Sequence, residues 1–435
     1  MKDLKIFTDD IEDKARDQID LLLSQEVFKD CKIRIMPDVH SGSGCVIGFT
    51  GNLGDKVIPK IVGVDIGCGM LCVELGNIDL DLDRLDKVIR EYVPSGFNVH
   101  KEQMYHFKEL EDLKCYKKLK DIDRIEKSIG TLGGGNHFIE IDKDDNDNKY
   151  LIIHTGSRNL GKQVAEYYQD LADDICNYDS DKYDTARKNL IETLKAEGRQ
   201  KEIQSSLIKL NKEFLKNKNR IPKDLAYLEG KYRDDYLHDM KLSQEFAKDN
   251  RRCIAEQILC NYFEAPPYRQ AKTPKAVRLI EHYSSDFYTQ DTVEYDFFYF
   301  ETVHNYISFE DNIVRKGAIS AKEGEKVLIP MNMRDGCIIG YGKGNDDWNN
   351  SAPHGAGRVM SRMKARETLK LDDFKKSMKD VYSTSVKETT IDESPMVYKP
   401  MQEIIDNMKD TVEVEKIIKP IYNFKADEDI PYWQK

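Results

Sequence analysis

Residues 150–161 read YLIIHTGSRNLG. The run Tyr150–Ile153 is aromatic or apolar and too short for a helix, and Gly156 and Ser157 supply a turn signal behind it. The segment therefore predicts a strand that empties into a loop close to His154. The same pattern recurs on the N-terminal side. HFIEID (137–142), KIVGVDIGCGM (60–70) and KIRIMPDVH (32–40) are each strand-like in length and end in turn signals. Up to about residue 160 the chain reads as short strands whose polar residues stand where the strands meet loops.

From about 162 to 262 the pattern becomes helical. KEIQSSLIKLNKEFLK (201–216) sets Ile203, Leu207, Leu210 and Phe214 at helical spacing among charged residues, and Gly198 breaks this helix from the preceding one. Its lysines are read as a solvated face. Strand-like runs return at TVEYDFFYFETVHNYI (292–307) and EKVLIPMNMRDGCIIGYGKG (325–344). Helices rich in Lys and Arg then lead to PIYNF (420–424), expected as a short final strand. Strand blocks on both sides of a helical block predict an α+β fold. The expectation is one domain over 1–435, a core of mixed β-sheets and helices with a charged helical insertion at about 162–262.

A chain of 435 residues with 40% apolar and 33% charged residues can bury a large core. No stretch approaches the roughly 20 apolar residues of a bilayer span, and MKDLKIFTDD lacks the apolar centre of a signal peptide. A cytoplasmic protein with no membrane partner is expected. Nine cysteines, odd in number and irregularly spaced, do not form the framework of a small secreted protein, so reduced thiols are expected. A net charge of −11 argues against a globally basic nucleic-acid coat, yet leaves room for a local basic groove. Arg251, Arg252 and Lys364 are candidates for such contacts, with ordinary surface charge as the alternative.

The residues suited to chemistry fall beside these strand-like runs. Asp65 and Cys68 lie in GVDIGCGM, His137 in GGGNHFIEI, His154 in IIHTGSRNLG and His304 in FETVHNY. One carboxylate, one thiolate and three imidazoles suit Zn, Fe or Mn better than Mg or Ca. Ligands dispersed over several strand ends suggest a preformed catalytic pocket, with room for two ions roughly 3.5–4 Å apart. A second constellation is SAPHGAGRVMSR (351–362). Gly355, Ala356 and Gly357 clear space beside His354, and Arg358 and Arg362, four apart, are expected on one face of a following helix. With Asn136 and Arg158 they offer donors for phosphate oxygens.

In order along the chain, MPDVHSGSGCVIGFT, VGVDIGCGM, GTLGGGNHFIEI, IHTGSRNLG, HNY, SAPHGAGRVMSR and PMVYKPMQEI resemble the motif series of the RtcB family of RNA-splicing ligases, from about residue 30 to 425. The resemblance implies two Mn²⁺ ions held by Asp65, Cys68, His137, His154 and His304, with Cys68 bridging. It implies GTP as cofactor and His354 as the nucleophile that becomes guanylylated. Asn136 would contact the nucleotide phosphates, and Glu140, Tyr398 and Lys425 would recognise guanine. The implied partner is RNA, either tRNA halves or cleaved RNA, with an archease-type activating protein as a further candidate and a monomer as the expected state. The implied reaction opens a 2′,3′-cyclic phosphate to a 3′-phosphate, transfers GMP to it and lets a 5′-hydroxyl displace the GMP. A phosphohydrolase that processes RNA ends without ligation is the alternative enzyme, and a metal-stabilised RNA-binding protein the alternative outside enzymes; an intact His354 speaks against both. The chain departs from the family pattern at MNMRDG (331–336), GSRN (156–159) and YKP (398–400). The first places the charged pair Arg334 and Asp335 beside the nucleotide, where altered base or ribose recognition is expected.

Overall fold

The computed structural model describes residues 3–177, 180–216, 221–282 and 293–426. Its architecture is α+β, with two large mixed sheets and helices packed against them. The first sheet holds β1 (Asp3–Ile6), β2 (Lys32–His40), β3 (Ile47–Asn52), β12 (Ile313–Lys316) and β11 (Asn305–Ser308) in that spatial order. The second is eight-stranded: β14 (Lys326–Asn332), β15 (Gly336–Gly342), β17 (Val412–Lys425), β6 (Phe138–Lys143), β7 (Lys149–Thr155), β5 (Gly69–Gly76), β10 (Tyr295–Val303) and β9 (Val277–Glu281). Two small ladders pair β4 (Lys56–Val57) with β8 (Leu228–Glu229), and β13 (Ala318–Ser320) with β16 (Ser351–Pro353).

Both faces of the eight-stranded sheet are covered, which is why its strands read as near-continuous apolar runs instead of alternating ones. One face sets Leu71, Val73, Ile139, Ile141, Leu151 and Ile153 against α3 (Leu82–Tyr92) and α8 (Gly230–Phe263). The other sets Met70, Cys72, Phe138 and Ile152 against Leu328, Cys337, Ile339 and Ile418. The sheet rolls far enough for the Leu328 amide on β14 to donate to Thr302 Oγ1 on β10 at 3.0 Å. A second core packs α1 (Asp13–Ser24), α2 (Pro59–Val62), α5 (Arg158–Asn177) and α8 against the first sheet.

The helical stretch read at about 162–262 comprises α5, α6 (Ser180–Ala196), α7 (Ile203–Lys216) and α8. Gly198, at φ +71°, lies between α6 and α7. α5 and α8 are not charged appendages: Leu160, Val164, Tyr168, Tyr236, Phe246, Ile254 and Ile258 are buried, and both helices build core. The helices of the last third are α9 (Arg362–Thr368), α10 (Leu371–Ser377) and α11 (Met401–Met408), and a short α4 (Ile122–Glu126) precedes β6.

Three local expectations are corrected. KIVGVDIGCGM is not one strand: Pro59 at the first helical position opens α2, Gly63 at φ +98° ends it, and the strand starts only at Gly69. The final strand is not confined to PIYNF but runs for 14 residues, because VEVEKIIK continues it between β15 and β6, and Pro420 is tolerated at a register shift. Arg358 and Arg362 do not share a helix face, since α9 begins at Arg362 behind the N-cap Ser361.

Candidate active site

Strand register assembles the cluster. Phe138 and Met70 both pair with His154, and Gly69 pairs with Val303 and Thr155, so His154 on β7 and the residues just outside β6, β5 and β10, His137, Cys68 and His304, come together at one end of the sheet, within two positions of each other in register. Cys68 Sγ lies 3.3 Å from His154 Nε2 and 3.5 Å from His137 Nε2; His154 Nε2 is 3.4 Å from His304 Nε2. Asp65 Oδ2 stands 3.0 Å from His137 Nε2. Gly156 makes this approach possible, since a Cβ there would sit 2.3 Å from Asp65 Oδ1.

The donor set fits a metal centre. His137 Nδ1 is anchored on the Leu132 carbonyl at 2.9 Å and His154 Nδ1 on that of Asn136 at 3.2 Å, which turns both Nε2 atoms into the cluster. Asp65 Oδ1 and His304 Nδ1 are buried without a hydrogen-bond partner. Burial holds the His154 and His304 imidazoles neutral, far below the usual histidine range, as ligation requires. Burial also raises the Cys68 thiol, with Asp65 adding to it, so only a bound cation would favour its thiolate. Burial opposes ionisation of Asp65, but the hydrogen bond and charge of His137, with Arg158 and the Cys68 thiol adding to them, together outweigh it and its pKa is lowered.

Beside this cluster opens a cleft lined by Asn136, Glu140, His354, Gly355, Ala356, Gly357, Arg358, Arg362, Tyr398 and Lys425, so residues from four distant stretches of the chain converge. The His354 ring centroid lies 5.0 Å from that of His304. His354 Nδ1 is 2.6 Å from Asp38 Oδ2, and its backbone N–H donates to the same oxygen at 3.1 Å. Asp38 is fully buried, and Gly357, at φ +70°, packs so close that a Cβ there would be 2.8 Å from the Asp38 carbonyl.

At the other end Glu140 Oε2 accepts from Asn423 Nδ2 at 2.5 Å. Glu393 ties the remaining groups together: Lys425 Nζ at 2.6 Å, Tyr398 Oη at 2.7 Å, Arg362 at 3.0 Å and Arg358 at 3.4 Å all meet its carboxylate. The two arginines therefore converge through a shared acid. Arg358 also donates to the Asp392 carbonyl at 2.6 Å and lies over the Tyr398 ring. Arg158 is not in this cleft. At φ +56° it turns to the opposite side of Asp65, donates to Thr131 Oγ1 at 3.0 Å and lines a second cleft with Arg124, Asn159 and Lys162.

Arg334 and Asp335 are turned toward each other at the β14–β15 hairpin tip (Nε–Oδ1 2.7 Å), and the wall of the cleft is Met331, Asn332 and Met333. Arg251 is not a surface contact: it is 1% exposed, pairs with Glu301 at 2.8 Å and donates to the Gly67 and Thr155 carbonyls at 2.7 and 3.0 Å, holding the two loops beside Cys68 and His154 together. Sequence reasoning missed Asp38 and Glu393, and it read Arg251 for a surface role. The first stands inside the quoted MPDVH run and the second just ahead of PMVYKP, but a lone acid in a chain carries no sign of its partner.

Fold and site together define an α+β protein with a Cys/His/Asp cluster beside a cleft lined by His354, two arginines and buried acids. The family model described as tRNA-splicing ligase RtcB matches residues 24–117 and 113–426. RNA-splicing ligase RtcB of Escherichia coli K12 is 32% identical over 430 residues, covering 92% of this chain and 91% of that protein. RNA-splicing ligase RtcB1 of Escherichia coli ATCC 25922 is 31% identical over 424 residues, with the same coverage. The tRNA-splicing ligase RtcB of Nanoarchaeum equitans is 24% identical over 453 residues, covering 85% and 83%. The chain belongs to the RtcB family, and with it to the enzymes that ligate RNA.

Proposed function

We propose that the protein is a GTP- and Mn²⁺-dependent ligase that joins RNA ends bearing a 2′,3′-cyclic phosphate or 3′-phosphate to 5′-hydroxyl ends through a guanylylated His354. The observation that carries the reading is the pairing of His354 with buried Asp38. With Nδ1–H donated to the Asp38 carboxylate, Nε2 keeps its lone pair and is the nitrogen available for attack. Its attack on the α-phosphorus of GTP forms an N–P bond and releases pyrophosphate. The RNA 3′-phosphate then attacks the same phosphorus, His354 leaves, and the 5′-hydroxyl finally displaces GMP from the activated end.

Asp65, Cys68, His137, His154 and His304 would hold the metal, which when bound polarises phosphoryl oxygens. Glu140 and Lys425 offer an acceptor and a donor to the base, while Asn136 and the 355–357 loop border the nucleotide. The same reading takes RNA as the partner, the cytoplasm as the location and a monomer as the working unit, with an archease-type protein as a candidate activator. No described helix is long and apolar enough to cross a membrane.

The test is incubation with Mn²⁺ and α-labelled GTP. Acid-labile label on the protein is expected, lost in His354→Ala, while that variant keeps its metal and still seals RNA supplied with a pre-activated 3′ end. Label that survives in His354→Ala would overturn the assignment.

A further inference from the structure

Behind Glu140 lies a second acid that the reaction does not use. Glu140 and Asp142 are two apart on β6 and share the face that carries Phe138; they are 2% and 0% exposed. One oxygen of each and Cys337 Sγ lie within 4.8 Å of one another. Among the described residues no N–H or hydroxyl donor reaches either Asp142 oxygen, and the sheet face it shares with Phe138 carries the apolar cluster of Met70, Cys72, Ile152, Leu328 and Ile339. Two carboxylates this close, with no cation on one of them, cannot both be ionised.

The neighbours decide which acid keeps the proton. From β17, Asn423 donates to Glu140 Oε2 and Lys425 supplies positive charge nearby. Asp142 faces only Glu140, the Cys337 thiol of β15 and, farther off, the Cys72 thiol of β5. Lys326 and Lys416, the cations that act on the Cys72 thiol, are engaged by Glu74 and by Glu415 and Asp144. Burial pushes Glu140 up to about 7, opposed by its hydrogen bonds, and pushes Asp142 well above the carboxylate range, with Glu140 adding to the rise.

We propose that Asp142 is a neutral carboxylic acid whose O–H donates to Glu140, keeps Glu140 an ionised acceptor at the floor of the cleft, and makes Asp142 a positioning residue for base selection. The inference rests on the reading of Glu140 as the carboxylate that meets the base. Guanine presents adjacent N–H donors, which an ionised carboxylate accepts; adenine presents a ring acceptor there, which a protonated Glu140 would tolerate. Loss of the Asp142 donor thus weakens GTP binding on the acid side and narrows the preference over ATP. A metal is the poorer occupant of the three groups. Asn423 already takes one Glu140 oxygen, burial keeps the Cys337 thiol protonated, and only three donors converge among the described residues.

The experiment measures GTP and ATP affinity by calorimetry as a function of pH in metal-loaded protein carrying His354→Asn, which prevents covalent turnover. In Asp142→Leu the acid limb of GTP binding should move up by about one pH unit, a roughly tenfold loss near neutrality, with ATP affinity equal or higher. Asp142→Asn, whose amide N–H donates without a titrating proton, should keep the original preference. Infrared difference spectra at neutral pH should show a buried protonated-carboxyl band in the unmodified protein that Asp142→Asn removes; this readout does not depend on Asp142→Leu folding. Unchanged GTP binding in Asp142→Leu, absence of the band, or an extra bound metal lost in Cys337→Ser would each overturn the proposal. Glu140→Gln separates the two readings. If it leaves the GTP-to-ATP ratio unchanged, Glu140 does not read the base and the selectivity claim falls with it; if it collapses the ratio while Asp142→Leu does not, only the role of Asp142 fails.

Discussion

Replacing Asp38 tests how His354 is made ready. Its Oδ2 accepts both the backbone N–H and the Nδ1–H of His354, at 3.1 and 2.6 Å, and Oδ1 is buried without a partner. In Asp38→Asn an amide oxygen at the Oδ2 position keeps both contacts, but the negative charge beside an imidazole that becomes more cationic as the N–P bond forms is gone. The difference between a charged and a neutral acceptor is about 1–1.5 kcal/mol, or roughly five- to tenfold in the guanylylation rate. Asp38→Ala removes the acceptor altogether. It should cost about 1.5–3 kcal/mol, roughly tenfold to 150-fold. The assay is the single-turnover rate of acid-labile labelling from GTP, with metal content measured on the same samples. Graded losses with metal retained are expected. Labelling at the original rate in both variants would refute the orientation argument, and so would metal loss that tracks the labelling loss.

Cys68→Ser should lower total metal occupancy more than His304→Ala, because Cys68 lies against both His137 and His154 whereas, of the candidate ligands, His304 Nε2 lies against that of His154; equal losses by metal analysis would contradict a shared thiolate. Arg334→Ala should leave the GTP-to-ATP labelling ratio within about twofold, since Arg334 is exposed and pairs with Asp335 at the hairpin tip, while Met333→Ala, which alters the cleft wall, should shift it; the reverse ranking would refute this. Burial alone would raise the Glu393 carboxyl, but Lys425, Arg362 and Arg358 outweigh it and hold it at about 2. A carboxyl depressed on folding contributes stability that is present above its unfolded value and lost as pH falls from there toward 2. Glu393→Gln should therefore lose about 3 kcal/mol at neutral pH and flatten the acid limb of a stability-versus-pH curve, and an unaltered limb would count against it.

Much of the chemistry was legible in residue order. Short apolar runs flanked by turn signals announced β2, β6, β7 and the β14–β15 hairpin, and the glycine-rich stretch around His354 announced a crowded loop. Each rests on a local cause, a side-chain pattern or a backbone freedom, that neighbours along the chain can express. KIVG misled because β-branched residues also fit one turn of helix when a proline precedes and a glycine follows, and PIYNF was read short because a strand buried between two others need not alternate cleanly.

What the residue order determined, then, is which groups can ligate, attack or donate, and which short segments extend or turn. What only the tertiary structure decided is which of them meet. His154 and His304 stand 150 residues apart in the chain and touch because β5 aligns β7 with β10. Arg158, read with the phosphate donors, lies behind Asp65, and Arg251, read as surface, is a buried clamp. Asp38, Glu393 and Asp142 are single acids whose meaning is the partner that burial leaves them: an imidazole, a ring of cations, or another carboxylate. Such pairings depend on long-range register and desolvation, and neither is encoded in any window of sequence short enough to read by pattern.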